Sequence, residues 1–243
     1  MIVVKGLSKS FGKVTAIDAV SFSASDTRVT ALLGPNGAGK STTLRILAGV
    51  LRAGSGTAEI DGHEVHAEPD RVRASIGVLP HASGVYARLT ARENVRYFGR
   101  LHGLSGESLE SRIEALIDQF DMRTFADRRT KGFSQGQRVK VALARALVHN
   151  PRHVILDEPT NGLDVMATRA LREIILGLRY AGCCVLFSSH IMQEVSNLCD
   201  DVIIIAGGRV RFTGDLAQLS DSAGHDDLEE AFVRIAGLDG AQT

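Results

Sequence analysis

Residues 34–41 read GPNGAGKS and stand between an apolar run, RVTALLG (28–34), and an amphipathic one, KSTTLRILAGV (40–50). The octet fits G-x-x-x-x-G-K-[ST], and a strand before it with a helix after it is the context that makes this pattern a phosphate-binding loop. Gly34, Gly37 and Gly39 can take backbone angles closed to other residues, so successive amides can turn inward around phosphate oxygens. A helix beginning near Lys40 adds its positive dipole end. Lys40 brings a cation to the outer phosphates, and the Ser41 hydroxyl is a hard oxygen suited to Mg²⁺. The candidate nucleotide segment is therefore Gly34, Pro35, Asn36, Gly37, Ala38, Gly39, Lys40, Ser41 and Thr42.

Strands are expected at ASIGVLP (74–80), HVILDEP (153–159), CCVLFSS (183–189) and DVIIIAGG (201–208), with amphipathic stretches between them. That alternation predicts an α/β core around a largely parallel sheet. The opening, IVVKGLSKSFGKVTAIDAVSFSA, reads as hairpin material with Gly12 at its turn. Between Ala91 and Asn150 the apolar spacing is helical throughout, which predicts a helical subdomain inserted into the sheet core. The final stretch, GHDDLEEAFVRIAGLDGAQT, suggests one short helix and a frayed end.

The chain has 243 residues, enough for one large domain. Its 28 basic and 28 acidic side chains balance, so no overall field draws in nucleic acid, and none is expected as a partner. Apolar runs stay far short of the ~18–20 residues that span a bilayer. No leader-like segment is expected, so any work at a membrane goes through a partner. Three cysteines without C-x-x-C spacing speak against a disulfide framework or a zinc motif, and for small buried hydrophobes.

The apolar run in VILDEPTNGLD (154–164) ends in adjacent acids, Asp157 and Glu158. A phosphate-loop protein needs an acid to anchor the water shell of magnesium, and Asp157 stands where that is required. On an extended chain Glu158 would point to the opposite side, so the two can divide the labour: metal for Asp157, attacking water for Glu158.

Three further segments make a resemblance specific. FSQGQRVKVALARALVHNP resembles the signature segment of ABC-transporter ATPases, TNGLD (160–164) their D-loop, and LFSSH ends in His190 at the position of their switch histidine. With the phosphate loop and VILDEP, five motifs occur in the family's order. The resemblance implies a P-loop NTPase (RecA-like) core with an N-terminal antiparallel β subdomain and an inserted α-helical signature subdomain, all in one ATPase domain. Residues 1–85 and 151–215 would form the nucleotide-binding core, 86–150 the helical subdomain, and 216–243 a C-terminal helix and tail.

Ser134-Gln135-Gly136-Gln137 is also an S-x-x-Q capping box, and a capped helix start attracts anions. The resemblance implies that this helix start meets the γ-phosphate held by a second copy, in a head-to-tail dimer with two ATP molecules and Mg²⁺. Ser134, Gly136 and Gln137 match contacting positions, and Gln135 replaces the family's usual glycine. Phe11 is similar to the aromatic on which adenine stacks, at ~1–3 kcal/mol in base–aromatic examples. His190 would hold the attacking water, and Asp164 would join the subunits, although an Asp before VMATRALREI also reads as a helix cap.

His81 stands where the family usually has a glutamine that reaches magnesium and relays motion to the membrane partner. Either it keeps the relay and brings pH sensitivity below the reference histidine pKa of ~6.5, or metal contact is lost and the loop only couples. LTARENVRYFGRLHGL and VLFSSHIMQEV resemble the sodium-exporting, NatA-type branch of two-component exporters. The implied protein is a peripheral ATPase at the cytoplasmic face of the membrane, working with a multi-helix permease. The alternatives are a drug, lipid or polysaccharide exporter, or a soluble ABC-type ATPase not coupled to transport.

Overall fold

A computed structural model describes residues 1–82, 84–225 and 227–237. In chain order the elements are β1 (Ile2–Phe11), β2 (Val14–Ala24), β3 (Val29–Leu33), α1 (Lys40–Leu47), β4 (Ser55–Ile60), β5 (His63–Glu64), α2 (Pro69–Ser75), β6 (Ile76–Leu79), α3 (Ala91–Leu101), α4 (Gly106–Gln119) and α5 (Gln135–Leu147). They continue with β7 (His153–Asp157), α6 (Val165–Tyr180), β8 (Cys184–Ser189), α7 (Met192–Ser196), β9 (Asp201–Ala206), β10 (Arg209–Gly214), α8 (Leu216–Ala223) and α9 (Leu228–Ala236).

Two sheets organise the chain. One has four antiparallel strands in the order β2-β1-β4-β5; the other has six in the order β10-β9-β3-β8-β7-β6. All pairs of the second sheet are parallel except the edge pair β10–β9. The β1–β2 hairpin turns at Gly12, whose φ of 58° needs a glycine-like conformation.

The central strands are buried on both faces, as parallel strands covered on each side must be. All five residues of β3 are buried, and so are all five of β7. Alternation then sends each strand's side chains into two different cores. Ala31, Leu156, Phe187 and Ile204 pack with the helices α3 to α6, whereas Leu32, Ile155, Leu186 and Ile203 pack with the antiparallel sheet and α1.

The helices between β6 and β7 meet the expectation of an inserted helical region. α3 begins with a full capping box, Thr90 accepting from the Glu93 amide and Glu93 from the Thr90 amide. α5 is held tight against β6: a Cβ on Gly77 would lie 2.4 Å from the Ala146 carbonyl oxygen, so only glycine allows this approach.

Several elements fall outside the expectations. The strands β4, β5 and β10 and the helix α2 are short, and in β10 exposed and half-buried residues alternate at an edge. After residue 215 there are two helices, α8 and α9, in place of the single one expected; Asp215 caps the first and Asp227 the second. Aspartate reads equally well as a turn residue, which hid the first cap. The expected frayed end, 238–243, lies outside the described residues.

Candidate functional site

Sheet register assembles the site. β3, β8 and β7 are parallel neighbours, with Leu33 paired to Ser189 and Asp157 to Ser188. The chain therefore leaves three adjacent strands, at Gly34, His190 and Glu158, along one edge of the sheet. Outside the carboxyl ends of such strands is where open α/β sheets bind ligands.

In the glycine loop, Gly37 (φ 80°) and Gly39 (φ 105°) take left-handed conformations, as expected. Gly34 does not, which corrects its expected role. A Cβ there would lie 2.2 Å from the Ile205 carbonyl oxygen, so glycine is needed for close packing on β9 rather than for its backbone angles. α1 then starts at Lys40, whose side chain is only 4% exposed. Its Nζ donates to the carbonyl oxygens of Gly34 (2.7 Å) and Pro35 (3.1 Å) and lies 3.5 Å from Glu158 Oε1. Burial holds the Lys40 amine below the usual lysine range, against the opposing pull of Glu158 and Asp157.

The two acids do not point apart. β7 ends at Asp157, and Glu158 takes φ 47°, a left-handed conformation in which strand alternation no longer holds. Both carboxylates consequently face the glycine loop. Asp157 Oδ1 accepts hydrogen bonds from Ser41 Oγ (3.0 Å) and Ser188 Oγ (2.8 Å). Glu158 lies among three cationic or protonatable groups: Lys40 at 3.5 Å, His190 Nδ1 at 3.5 Å and His81 Nδ1 at 3.7 Å. The acids differ in their partners rather than in direction: hydroxyls for one, nitrogens for the other.

Ser188 went unnoticed in the sequence. Its hydroxyl donates to Asp157 and accepts from the Glu158 amide (2.9 Å), so it fixes both acids at once. The serine pair before His190 was the available signal. Ser189 turns the other way, donating to Glu194 (2.8 Å) and accepting from the Ile191 amide (3.0 Å), which orients the turn carrying His190.

A cleft of about 310 Å³ opens over this cluster, lined by Asn36 to Thr42 with Ala16, Arg45, His81 and Glu158. Ala16 and Arg45 belong to no motif and were also missed. His81 approaches Glu158, not the Ser41–Asp157 pair. Phe11, at the end of β1, is half exposed beneath the Lys9 ammonium at 5.6 Å and is no core residue; it does not line the cleft.

Ser134, Gly136, Gln137 and Asp164 are brought together elsewhere. Ser134 accepts from the Gln137 amide and Gln137 from the Ser134 amide, the capping box expected at the start of α5. Gly136 faces α6, where an added Cβ would come 3.1 Å from the Ala167 Cβ, and Gln135 reaches within 3.8 Å of the Cβ direction of Gly162. Asp164 caps α6 through the Ala167 amide (2.8 Å). None of these residues lines the cleft over the glycine loop. One copy thus carries two separate anion-attracting surfaces, a glycine loop and a capped helix start.

Family comparison agrees with this geometry. The ABC transporter family profile matches residues 17–161. The chain is 44% identical over 221 residues to the ABC transporter ATP-binding protein NatA of Bacillus subtilis (strain 168), covering 90% of each chain. It is 38% identical over 223 residues to the daunorubicin/doxorubicin resistance ATP-binding protein DrrA of Streptomyces peucetius, covering 92% of this chain and 68% of that one. The solved dimeric structure of a bacterial ABC transporter cassette superposes with a TM-score of 0.80 at 25% identity, covering 89% of this chain and 99% of that one. The chain belongs to the ABC transporter family, as one of its ATP-binding, ATP-hydrolysing proteins.

Proposed function

We propose that the protein powers an exporter: two copies close head to tail around two ATP molecules and drive a separate membrane permease, with Na⁺ as the cargo. The single observation that supports export through a partner is the 44% identity with NatA over 90% of both chains. Among the described residues no helix is long and apolar enough to cross a membrane. The protein itself would then sit at the cytoplasmic face of that membrane.

Residue roles follow from chemistry. The amides of the loop and Lys40 hold the phosphates, and the Phe11 ring stacks on adenine. Bound γ-phosphate takes Lys40 away from Glu158, which frees that carboxylate to accept a proton from the attacking water. His190, at 3.5 Å from Glu158, positions the same water. The second copy supplies Ser134, Gly136 and Gln137 to the γ-phosphate, while Asp164 lies at the joint. A dimer is supported by the separation of the capped helix start from the cleft over the glycine loop within one chain.

Mg²⁺ fits the donor set: the Ser41 hydroxyl and the Asp157 carboxylate are hard oxygens 3.0 Å apart, joined by a hydrogen bond that an ion would replace. Bound there, Mg²⁺ would neutralise charge developing on the phosphates. His81 is placed to act on Glu158 instead of the metal. A His81→Gln variant with the same acid limb in its pH–rate profile as the parent would remove any switching role.

The test of the function is Na⁺ retention in cells lacking this chain and its permease, with and without re-supply of both. Restored extrusion is expected. If Na⁺ handling is unchanged but resistance to an amphiphilic drug is lost, the cargo is of the other kind, in line with the 38% identity to DrrA.

A further inference from the structure

At the opposite end of the parallel strands from the glycine loop, His153 begins β7 and Cys184 begins β8, and the two residues are register partners. Asp157 is four residue steps along β7 from His153, roughly 13 Å at the usual rise. Asp26, in the turn after β2, joins them: one ligand atom from each of Asp26, His153 and Cys184 lies within 4.8 Å of the other two. Asp61, just after β4, brings Oδ2 to 2.9 Å from His153 Nε2.

We propose that Asp26, His153 and Cys184 form a binding site for a thiophilic divalent transition metal, best suited to Zn²⁺, with Asp61 as the carboxylate that orients the histidine. His153 supplies the independent sign of a ligand. It is 99% buried; Nε2 lies 2.9 Å from the Asp61 carboxylate, while Nδ1 makes no hydrogen bond. A buried ring nitrogen without a partner weakens a fold unless something else binds it. Nε2 faces Asp61, and Nδ1, 3.9 Å from Asp26 Oδ1, is the nitrogen left for a metal. A carboxylate on one imidazole nitrogen with a metal on the other is the usual arrangement of a ligating histidine.

The donor types select the ion. A sulfur, an imidazole nitrogen and one carboxylate oxygen suit Zn²⁺ or Co²⁺ and disfavour Mg²⁺ or Ca²⁺, which take oxygens. Metal–ligand bonds of about 2.0–2.3 Å imply ligand–ligand contacts of roughly 3.3–3.8 Å, so the cluster must close by about one ångström. Asp26 can make that movement, because its carboxylate stands in an exposed turn. The Met1 ammonium already lies 2.5 Å from Asp26 and 2.7 Å from Asp61, so the pocket attracts positive charge.

Coordination balances simply. The Cys184 thiol now donates to the Ala24 carbonyl at 3.6 Å; binding breaks its S–H bond, forms a metal–sulfur bond and releases the proton to water. Burial pushes this thiol up to about 12, so uptake strengthens as pH rises. The bound ion would join the antiparallel sheet, through Asp26, to two strands of the parallel sheet. The scattered positions 26, 153 and 184 explain why no zinc spacing was visible in the sequence.

The test uses full-length protein stripped with chelator and titrated with Co²⁺ in the absence of nucleotide. One equivalent should produce a thiolate-to-cobalt charge-transfer band and the intense visible bands of tetrahedral Co²⁺. Cys184→Ser should abolish the charge-transfer band, and Asp26→Asn should weaken Co²⁺ binding at least tenfold. A Cys183→Ser/Cys199→Ser double variant should keep the band. No such band in the parent at excess Co²⁺, or the same band in Cys184→Ser, would overturn the site. Because the thiolate band reads only the cysteine end, failure here leaves the ATPase reading untouched.

Discussion

The two ends of the same parallel strands make an instructive contrast. At their carboxyl ends β3, β7 and β8 carry Gly34, Asp157 with Glu158, and Ser188 to one cluster beside the cleft, which Glu158 lines. At their amino ends β7 and β8 deliver His153 and Cys184 to a cluster with Asp26 and Asp61. Both clusters bury polar groups. The carboxyl end meets them with hydroxyls and a lysine; the amino end leaves one imidazole nitrogen, Nδ1 of His153, without a partner. The difference teaches that a sheet concentrates chemistry at both edges, but only the edge where loops bind backbone-first leaves a linear signature.

The largest expected effect separates the ends by catalysis. Glu158→Gln should retain ATP binding and lose turnover by roughly 10²–10⁴-fold, read by nucleotide titration beside phosphate release. Near-normal hydrolysis would mean that the nitrogens around Glu158 serve structure only. Lys40→Ala should act on binding itself, weakening ATP by roughly 10–100-fold, the loss of one charge-assisted hydrogen bond. An unchanged affinity would assign the phosphate grip to the amides alone.

At the other edge, Cys184→Ser should keep turnover within about twofold, since roughly 13 Å of strand separates it from Asp157. The variant should nevertheless lose any Zn²⁺-dependent rise in melting temperature. A large fall in turnover would erase the contrast between the two ends.

The smallest effect belongs to His149, which meets the amino end of β6. Its Nε2 donates to the Ile76 carbonyl at 2.9 Å, and its ring stacks on His102 with centroids 3.6 Å apart. Burial first, then His102 and Arg112, lowers its pKa to about 4. The folded value lies below the unfolded one of ~6.5, so the contribution to stability is full above pH ~6.5 and is lost as pH falls through about 4. Melting temperature should drop across that window and less steeply in His149→Asn; parallel curves for the two proteins would assign the acid transition to other groups.

What could be read from residues alone follows the same division. The strands feeding the cleft, the glycine loop and both helix caps at Ser134 and Asp164 were legible, because each rests on neighbours within a few positions. The expected opposite direction of Glu158 does not hold: it faces the glycine loop, as Asp157 does. Its direction depends on a left-handed turn that no local pattern announces. Gly34 was read for flexibility, while its true constraint is the Ile205 carbonyl 171 residues later. Ser188 holds both acids only because β8 lies beside β7 in that register.

The sequence by itself therefore determined the class of fold, the phosphate loop and the two neighbouring acids, since short-range spacing dictates strand ends, glycine turns and helix starts. Only the tertiary structure decided that both acids face the glycine loop, that the capped helix of α5 lies apart from it, and that Asp26, Asp61, His153 and Cys184 converge. The physical reason is pairing across the sheets. Register and burial bring together side chains far apart along the chain, and no periodicity records who will be opposite whom.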